Sequence, residues 1–269
     1  MREIRISNKD YRKRKGISST DLKHMVKSPA HFRYWKDNPQ EDTPALLFGR
    51  AVHKYVLEKE DFFSEFAVAP ICDRRTKEGK AEWALFQEQN KDKDIIEAED
   101  FEKIKAMYDA LYATPYVSKI LSGKKELSFF LKDSVTGLTM KCRPDCLTDI
   151  GDTHLLIDYK SCSDATSEQF MKDAIKLMYD MQLSYYKDIV DKKRNCNHTV
   201  IFIAQEKTAP YVVNVFEANE YFIKSGRDMY RTYLDVYSEC ENTGVWYGLV
   251  KDGINTLGLP NWLQKQYEV

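Results

Sequence analysis

The chain has no Cys-x-x-Cys pair. Its six cysteines (Cys72, Cys142, Cys146, Cys162, Cys196 and Cys240) are scattered through 269 residues. That spacing argues against zinc or iron–sulfur ligation and for free thiols in a reducing compartment. No apolar run approaches the length of a membrane span, and the opening Met-Arg-Glu-Ile-Arg-Ile-Ser holds no signal-peptide apolar region. A cytoplasmic protein is therefore expected. A Gly-x-x-x-x-Gly-Lys-Ser/Thr phosphate loop is also missing, so no ATP motor of the usual kind is encoded. Repeats, low-complexity stretches and Pro/Gly/Ser linkers are absent as well. Nor is there a basic excess: 41 Lys and Arg stand against 42 Asp and Glu, for a net charge of −1. This balance neither indicates nor excludes a nucleic-acid partner.

What remains is the composition of an ordinary soluble globular protein, 43% hydrophobic and 31% charged. The length suits one large domain or two small ones. Ser18 with Asp21 forms a capping-box pattern, and Ser28-Pro29 and Thr43-Pro44 each read as an N-cap followed by proline. These signals predict helices carrying Leu22, Met25 and Val26, and then one over 45–58. A strand near 66–69, a charged loop over 72–79 and helices near 80–90 and 99–114 follow. The period then changes. Residues 126–132 and 138–143 read as strands joined by a turn around Asp133 and Gly137. A further strand runs through Asp158, residues 167–193 read as helix, and 200–204 and 211–216 as strands. A helix over 218–240 and an irregular tail complete the chain. The simplest arrangement is one α/β domain over 1–269, a central mixed β-sheet flanked by helices. It divides into a helical part at about 17–114, a sheet core at about 125–216 and a C-terminal helix with tail at 217–269.

The sheet core holds the most informative residues. In Leu-Leu-Ile-Asp-Tyr-Lys, Asp158 and Lys160 are two apart on a strand, so they share a face while Tyr159 points to the other. Asp145, in Cys-Arg-Pro-Asp, precedes Asp158 by thirteen residues and would lie on the adjacent strand. Two carboxylates and an ammonium would thus meet at one end of the sheet. Two carboxylates suit a hard divalent cation, and a metal-bound water beside a lysine can attack a phosphodiester. A surface ion pair at a strand end is the plainer reading of the same residues. The other acidic-x-Lys triplets, Asp21-Leu-Lys23, Glu78-Gly-Lys80 and Asp191-Lys-Lys193, fall where helix or loop is expected, and there positions i and i+2 do not share a face.

His53 stands four residues after Gly49 on the predicted 45–58 helix, so the glycine leaves room beside the imidazole. Neutral imidazole can complete a carboxylate metal site, although a lone helical histidine is more often packed or exposed. Glu126, at the start of a predicted strand, is a second candidate near the metal or else a solvent-facing strand residue. Gln182 and Tyr186 share a helix face and offer an amide and a phenol; taken singly, packing on the sheet explains them better. Short basic clusters occur at 12–15, at Arg74, Arg75 and Lys77, and at 192–194. Each reads first as a solvated face, with Arg74, Arg75 and Lys77 as candidate contacts to a DNA backbone or a terminal 5′ phosphate.

Taken together, Gly-x-x-x-His, the Glu126 strand, Arg-Pro-Asp, Asp-Tyr-Lys and Gln-x-x-x-Tyr resemble the PD-(D/E)xK nuclease superfamily in its RecB-type arrangement. The likeness is strongest to the nuclease domain of the exonuclease VIII (RecE) group of phage and prophage recombination exonucleases. It runs from Ile17-Ser18-Ser19 through Ser28-Pro29-Ala30-His31-Phe32, then Thr43 to His53, and reaches Leu257-Gly258-Leu259-Pro260-Asn261-Trp262 in the tail. The resemblance implies a restriction-endonuclease-like fold. His53, Asp145 and Asp158 would ligate Mg²⁺, with Mn²⁺ able to substitute, and the backbone carbonyl of Tyr159 would be another ligand. Lys160 would position or deprotonate the attacking water, and Gln182 and Tyr186 would complete the catalytic set. It further implies 5′→3′ digestion of linear double-stranded DNA, leaving 3′ single strands for a single-strand annealing protein. A homo-oligomeric ring follows in the same way, a tetramer before a trimer, with Trp246, Tyr247, Trp262 and Tyr267 as candidate interface residues. A bacterial cytoplasm and a phage or prophage origin are part of that expectation. The rivals are a catalytically silent DNA-binding module on the same fold and an endonuclease of the same superfamily.

Overall fold

In the computed structural model, which describes residues 4–38 and 42–267, the first helices begin where their capping residues stand. After α1 (Asn8–Lys13), α2 (Ser19–Lys27) opens on a complete capping box between Ser18 and Asp21. Helix α3 (Pro29–Asp37) is capped by Ser28, and α4 (Pro44–Leu57) by Thr43, each with proline in its first turn. Short α5 (Phe62–Glu65) leads into β1 (Phe66–Val68). Helix α6 spans Lys77–Gln89, starting within the loop expected over 72–79, because the Thr76 hydroxyl accepts from the Gly79 N–H and caps it. Strand β2 (Asp94–Ile96) pairs in parallel with β1, and α7 (Ala98–Tyr112) and α8 (Pro115–Ile120) complete the helical half.

Strand β3 (Lys124–Lys125) starts the sheet region, followed by β4 (Phe129–Lys132) and β5 (Thr139–Cys142). The last two form an antiparallel pair turning at Asp133 and Gly137, apart from the main sheet. Next come β6 (Cys146–Ile150), β7 (Thr153–Cys162), α9 (Ser167–Lys176), α10 (Tyr179–Arg194), β8 (His198–Glu206), β9 (Val213–Glu217), α11 (Glu220–Thr243) and α12 (Asn261–Gln264). The main sheet runs β3-β6-β7-β8-β9, with β7 and β8 parallel and the other neighbours antiparallel. It is the mixed, helix-flanked sheet expected.

Alternation along the strands builds two apolar layers. Leu156 of β7 with Val200, Phe202 and Ala204 of β8 face α10 and α11, packing with Leu183, Tyr185 and Leu234. Leu155, Ile157 and Tyr159, with Ile201 and Ile203, face α4 and α7, packing with Val52, Ile104, Met107 and Leu111. The expected single helix over 167–193 is two. Leu177 caps α9, and Met178, at φ 54°, turns the chain through the left-handed region into α10. Among the described residues no helix is long and apolar enough to cross a membrane.

Helices α10 and α11 approach closely at Gly226, where an added Cβ would meet the Asp180 carbonyl oxygen at 2.0 Å and Ser184 Oγ at 2.6 Å. The Ser184 hydroxyl donates to the Ile223 carbonyl across the same contact. Gly226→Ala is expected to cost about 3 kcal/mol through overpacking, read as a lowered thermal midpoint. Gly248→Ala, whose Cβ meets nothing within 4 Å, should leave the midpoint unchanged.

Candidate active site

The antiparallel register places Cys146 opposite Ile157, so Asp145, just before β6, stands beside the middle of β7. The Tyr159 N–H donates to Asp145 Oδ2 at 2.7 Å and fixes the carboxylate there. Asp158 is wholly buried on the opposite face of β7 from Tyr159, whose hydroxyl donates to Gln205 Oε1. Lys160 Nζ is in contact with Asp158 Oδ2, an oxygen that accepts no other hydrogen bond among the described residues. Asp145, Asp158 and Lys160 therefore converge as their spacing on two adjacent strands anticipates.

Helix α4 brings His53 to the same point. Its Nε2 lies 3.0 Å from Asp145 Oδ2 and its Nδ1 3.7 Å from Glu126 Oε1. One turn back, a Cβ on Gly49 would meet nothing within 4 Å, and both residues line a cleft of about 480 Å³. The glycine thus leaves the open space beside the imidazole that its spacing suggests. Glu126, expected on a strand from the sequence, instead falls between β3, which ends at Lys125, and β4, which begins at Phe129. Glu126 instead sits at φ 56°, its N–H donating to the Asp145 carbonyl at 3.1 Å, with its carboxylate held by Arg143. A non-glycine residue in the left-handed region at such a place is strain the surroundings must impose. Arg143 imposes it, and its Nη1 also donates to the Ile6 carbonyl at 3.1 Å.

Gln182 also comes to the site: its Nε2 donates to Asp158 Oδ1 at 3.3 Å. Tyr186, one turn further along α10, is half-buried with its hydroxyl paired to Ser19, and desolvation pushes that phenol well above its ordinary value. Arg74, Arg75 and Lys77 do not line the cleft. Arg74 makes two hydrogen bonds to Glu97 and stacks over Trp83, and Arg75 is paired with Asp73. In the tail, Trp246 packs on Phe32 and Tyr237, and the Tyr247 carbonyl accepts from the Ala30 N–H, whereas Trp262 and Tyr267 are exposed.

Three cations not singled out from the sequence belong here. Arg12, within the basic 12–15 cluster, and Lys207, just past β8, line the cleft. Neither charged head has a side-chain partner among the described residues. Lys23, half-buried on α2, donates to Gln182 Oε1 at 2.9 Å.

The electrostatics fit a cation site. Burial pushes Asp158 up, with Lys160 opposing and Asp145 adding to the rise. Burial would raise Asp145 too, but His53, Lys160 and the Tyr159 N–H hold it below the usual carboxylate value. Burial would lower His53, yet Asp145 and Glu126 outweigh that and push it up to about 9. Burial likewise opposes charge on Lys160, and the two aspartates override it, so Lys160 is held above the ordinary lysine value. Burial and the Lys160 ammonium push Lys23 down to about 8. The donor atoms of His53, Glu126 and Asp145 lie within 4.8 Å of one another. Carboxylate oxygens with one imidazole, and a buried Asp158 oxygen met only by Lys160, are a donor set a divalent cation can use.

A profile described as a PDDEXK-like domain of unknown function (DUF3799) matches residues 18–249. The crystal structure of a candidate exonuclease from Eubacterium rectale superposes with a TM-score of 0.64 at 13% identity, covering 99% of this chain and 100% of that one. At that identity the likeness shows the fold. SSO0001 aligns at a TM-score of 0.35 and 15% identity, over 82% of this chain and 78% of that chain, too slight a likeness to argue from. No curated protein matches the sequence.

Proposed function

The chain belongs to the PDDEXK-like domain family (DUF3799), and from that premise we propose that it is a metal-dependent exodeoxyribonuclease. The observation that carries this reading is the clustering of Asp145 with His53 and of Asp158 with Lys160 about β7, where His53 and Glu126 line the adjoining cleft. Asp145 and Asp158, with His53 and Glu126, would hold the cation; Mg²⁺ is the metal proposed, with Mn²⁺ able to replace it. When bound there, such an ion supplies a Lewis acid at the phosphate and an acidified water. The remaining work falls to the protein. Tyr159 fixes Asp145 through its N–H. Lys160, in contact with Asp158, would position or deprotonate the attacking water and balance charge in the transition state. Arg12 and Lys207, on the cleft wall, are suited to flanking phosphates.

Digestion from DNA ends is favoured over internal cleavage because the Eubacterium rectale neighbour is described as a candidate exonuclease, in line with the exonuclease VIII resemblance. The proposal extends to 5′→3′ polarity, 3′ single-stranded products for an annealing protein, and a tetrameric ring that keeps duplex attached without a motor. The test is digestion of linear duplex labelled at the 5′ or the 3′ end, with Mg²⁺ or with EDTA, beside a closed circle. Mg²⁺-dependent release of 5′-labelled nucleotides from the linear substrate alone is expected. Cutting of the circle would identify an endonuclease, and no hydrolysis under any condition a silent binding module.

Binding without hydrolysis, in EDTA, tests the cleft wall. Each backbone contact adds about 0.9 to the slope of log K against log salt on B-form DNA. Arg12→Ala and Lys207→Ala are each expected to weaken duplex binding evenly across sequences and to reduce that slope by about 1. Unchanged slopes in both variants would move the phosphate contacts elsewhere. The same titration of Arg75→Ala tests the 72–79 loop as a further contact.

A further inference from the structure

A primary amide has an acceptor end and a donor end of nearly the same shape, so its neighbours decide which way it faces. At Gln182 that decision matters. With Nε2 toward Asp158 the amide donates to Oδ1; flipped, it would set one oxygen against another. The atom that settles it is Lys23 Nζ, which donates to Gln182 Oε1 at 2.9 Å across 159 residues of sequence. An ammonium has three donors and no acceptor, so only the oxygen end of the amide can face it.

Lys23 is firmly held. Its helix begins on the Ser18–Asp21 capping box, buries Leu22 and Met25 completely, and is tied to α3 through Asp21 and Lys36. The Tyr185 hydroxyl of α10 donates to the Ile17 carbonyl at 2.6 Å, fixing the start of α2 against the helix that carries Gln182. The Lys23 and Lys160 ammonium groups lie 5.2 and 4.9 Å from the centroid of the same Tyr179 ring. Tyr179 thus steadies both lysines at the site's edge. One Asp158 oxygen is then occupied by Gln182 and the other is left to Lys160.

We propose that Lys23 is a positioning residue of the active site: by fixing the Gln182 amide it orients the Asp158 carboxylate and so sets the affinity for the divalent cation. This rests on the reading of Asp145 and Asp158 as the metal site. Outer partners of metal ligands typically change affinity by about 10–100-fold when lost.

Mn²⁺ titration of the full chain by calorimetry, without DNA, tests it, with thermal unfolding measured on each variant. Lys23→Met, which keeps a long unbranched side chain but removes the donors, should weaken Mn²⁺ binding about tenfold. Lys23→Arg should restore most of the loss. Gln182→Leu should weaken binding by a similar factor, and adding Lys23→Met to it should cost nothing further. Should the methionine variant not fold, Lys23→Ala serves the same comparison. Wild-type affinity in the folded Lys23 variant, or losses that multiply in the double variant, overturn the proposal. A wild-type chain that binds no Mn²⁺ overturns the metal-site reading together with it, whereas normal wild-type binding with unaffected Lys23 variants removes this inference alone.

Discussion

Asp158→Asn and Lys160→Met are each expected to slow phosphodiester hydrolysis by at least about 10²-fold while the protein stays folded, because each deletes a preorganised charge at the reacting centre. The separation of activity from folding follows from the burial of the pair. Asp158 is fully buried and already pushed toward the neutral form. When Lys160 is removed, Asp158 can take up a proton instead of remaining an unpaired buried ion. When Asp158 becomes asparagine, Lys160 keeps Asp145 as a counter-charge, and its side chain, 18% exposed, reaches solvent. The stability change should therefore fall below the about 3–5 kcal/mol typical of breaking a buried pair. Single-turnover digestion of end-labelled duplex at saturating Mg²⁺, paired with thermal unfolding, measures both. Near wild-type rates in either folded variant would remove Asp158 and Lys160 from the chemistry.

The features legible in the sequence were those fixed by local geometry. Strand alternation places Asp158 and Lys160 together and Tyr159 apart in any sheet. Capping at Ser18, Ser28 and Thr43 depends on a hydroxyl reaching a backbone N–H two or three residues on, and all three helices begin there. Gly49 and His53 share a helix face for a similar reason. The rest was set at a distance. Glu126 reads as a strand residue because apolar positions follow it. Its left-handed turn is imposed by Arg143 and the Asp145 carbonyl, from a segment that reaches it only after folding. Met178 carries no glycine or proline to announce a break, yet the chain turns there between α9 and α10.

Lys23 shows the same limit in reverse. The Asp21-Leu-Lys23 triplet is correctly set aside as a helical coincidence, since its two charged groups do not share a face: Asp21 pairs with Lys36 and Lys23 with Gln182. Its place beside the site comes from the packing of α2 on α10, which no spacing rule encodes. Arg74 and Arg75 show why clustered donors overstate a binding loop. Glu97 and Asp73 take up their guanidinium groups, whereas Lys207 on the cleft wall has no side-chain hydrogen bond or ion pair among the described residues.

Removing His53 should weaken Mn²⁺ or Mg²⁺ binding by no less than the about 10–100-fold seen when an outer partner of a ligand is lost, and should also change how binding depends on pH. The imidazole lies between Asp145 and Glu126, which hold its proton up to about 9 against the opposing effect of burial. In the metal-free protein at neutral pH, His53 is therefore an imidazolium paired with Asp145. A cation taking that place must displace the proton, so apparent affinity should rise by about tenfold per pH unit between roughly 6.5 and 9 while one proton is released. Stability runs the other way. A folded value raised above the ordinary 6.5 contributes stability that is complete below about 6.5 and lost as pH rises through about 9. Metal-free wild type should accordingly lose stability across that window, and added cation should restore it. His53→Gln cannot hold the proton, so both trends should flatten. His24, stacked on Trp35, and His198, paired with Asp191, stand away from the cleft. His24→Ala and His198→Ala should keep the wild-type pH slope of metal binding, even if the buried His198 costs stability when removed. Calorimetric titrations between pH 6 and 9.5 in two buffers of different ionisation enthalpy count the released proton directly. A His53→Gln protein that still releases one proton per cation would assign that proton to another group and return the histidine to a packing role.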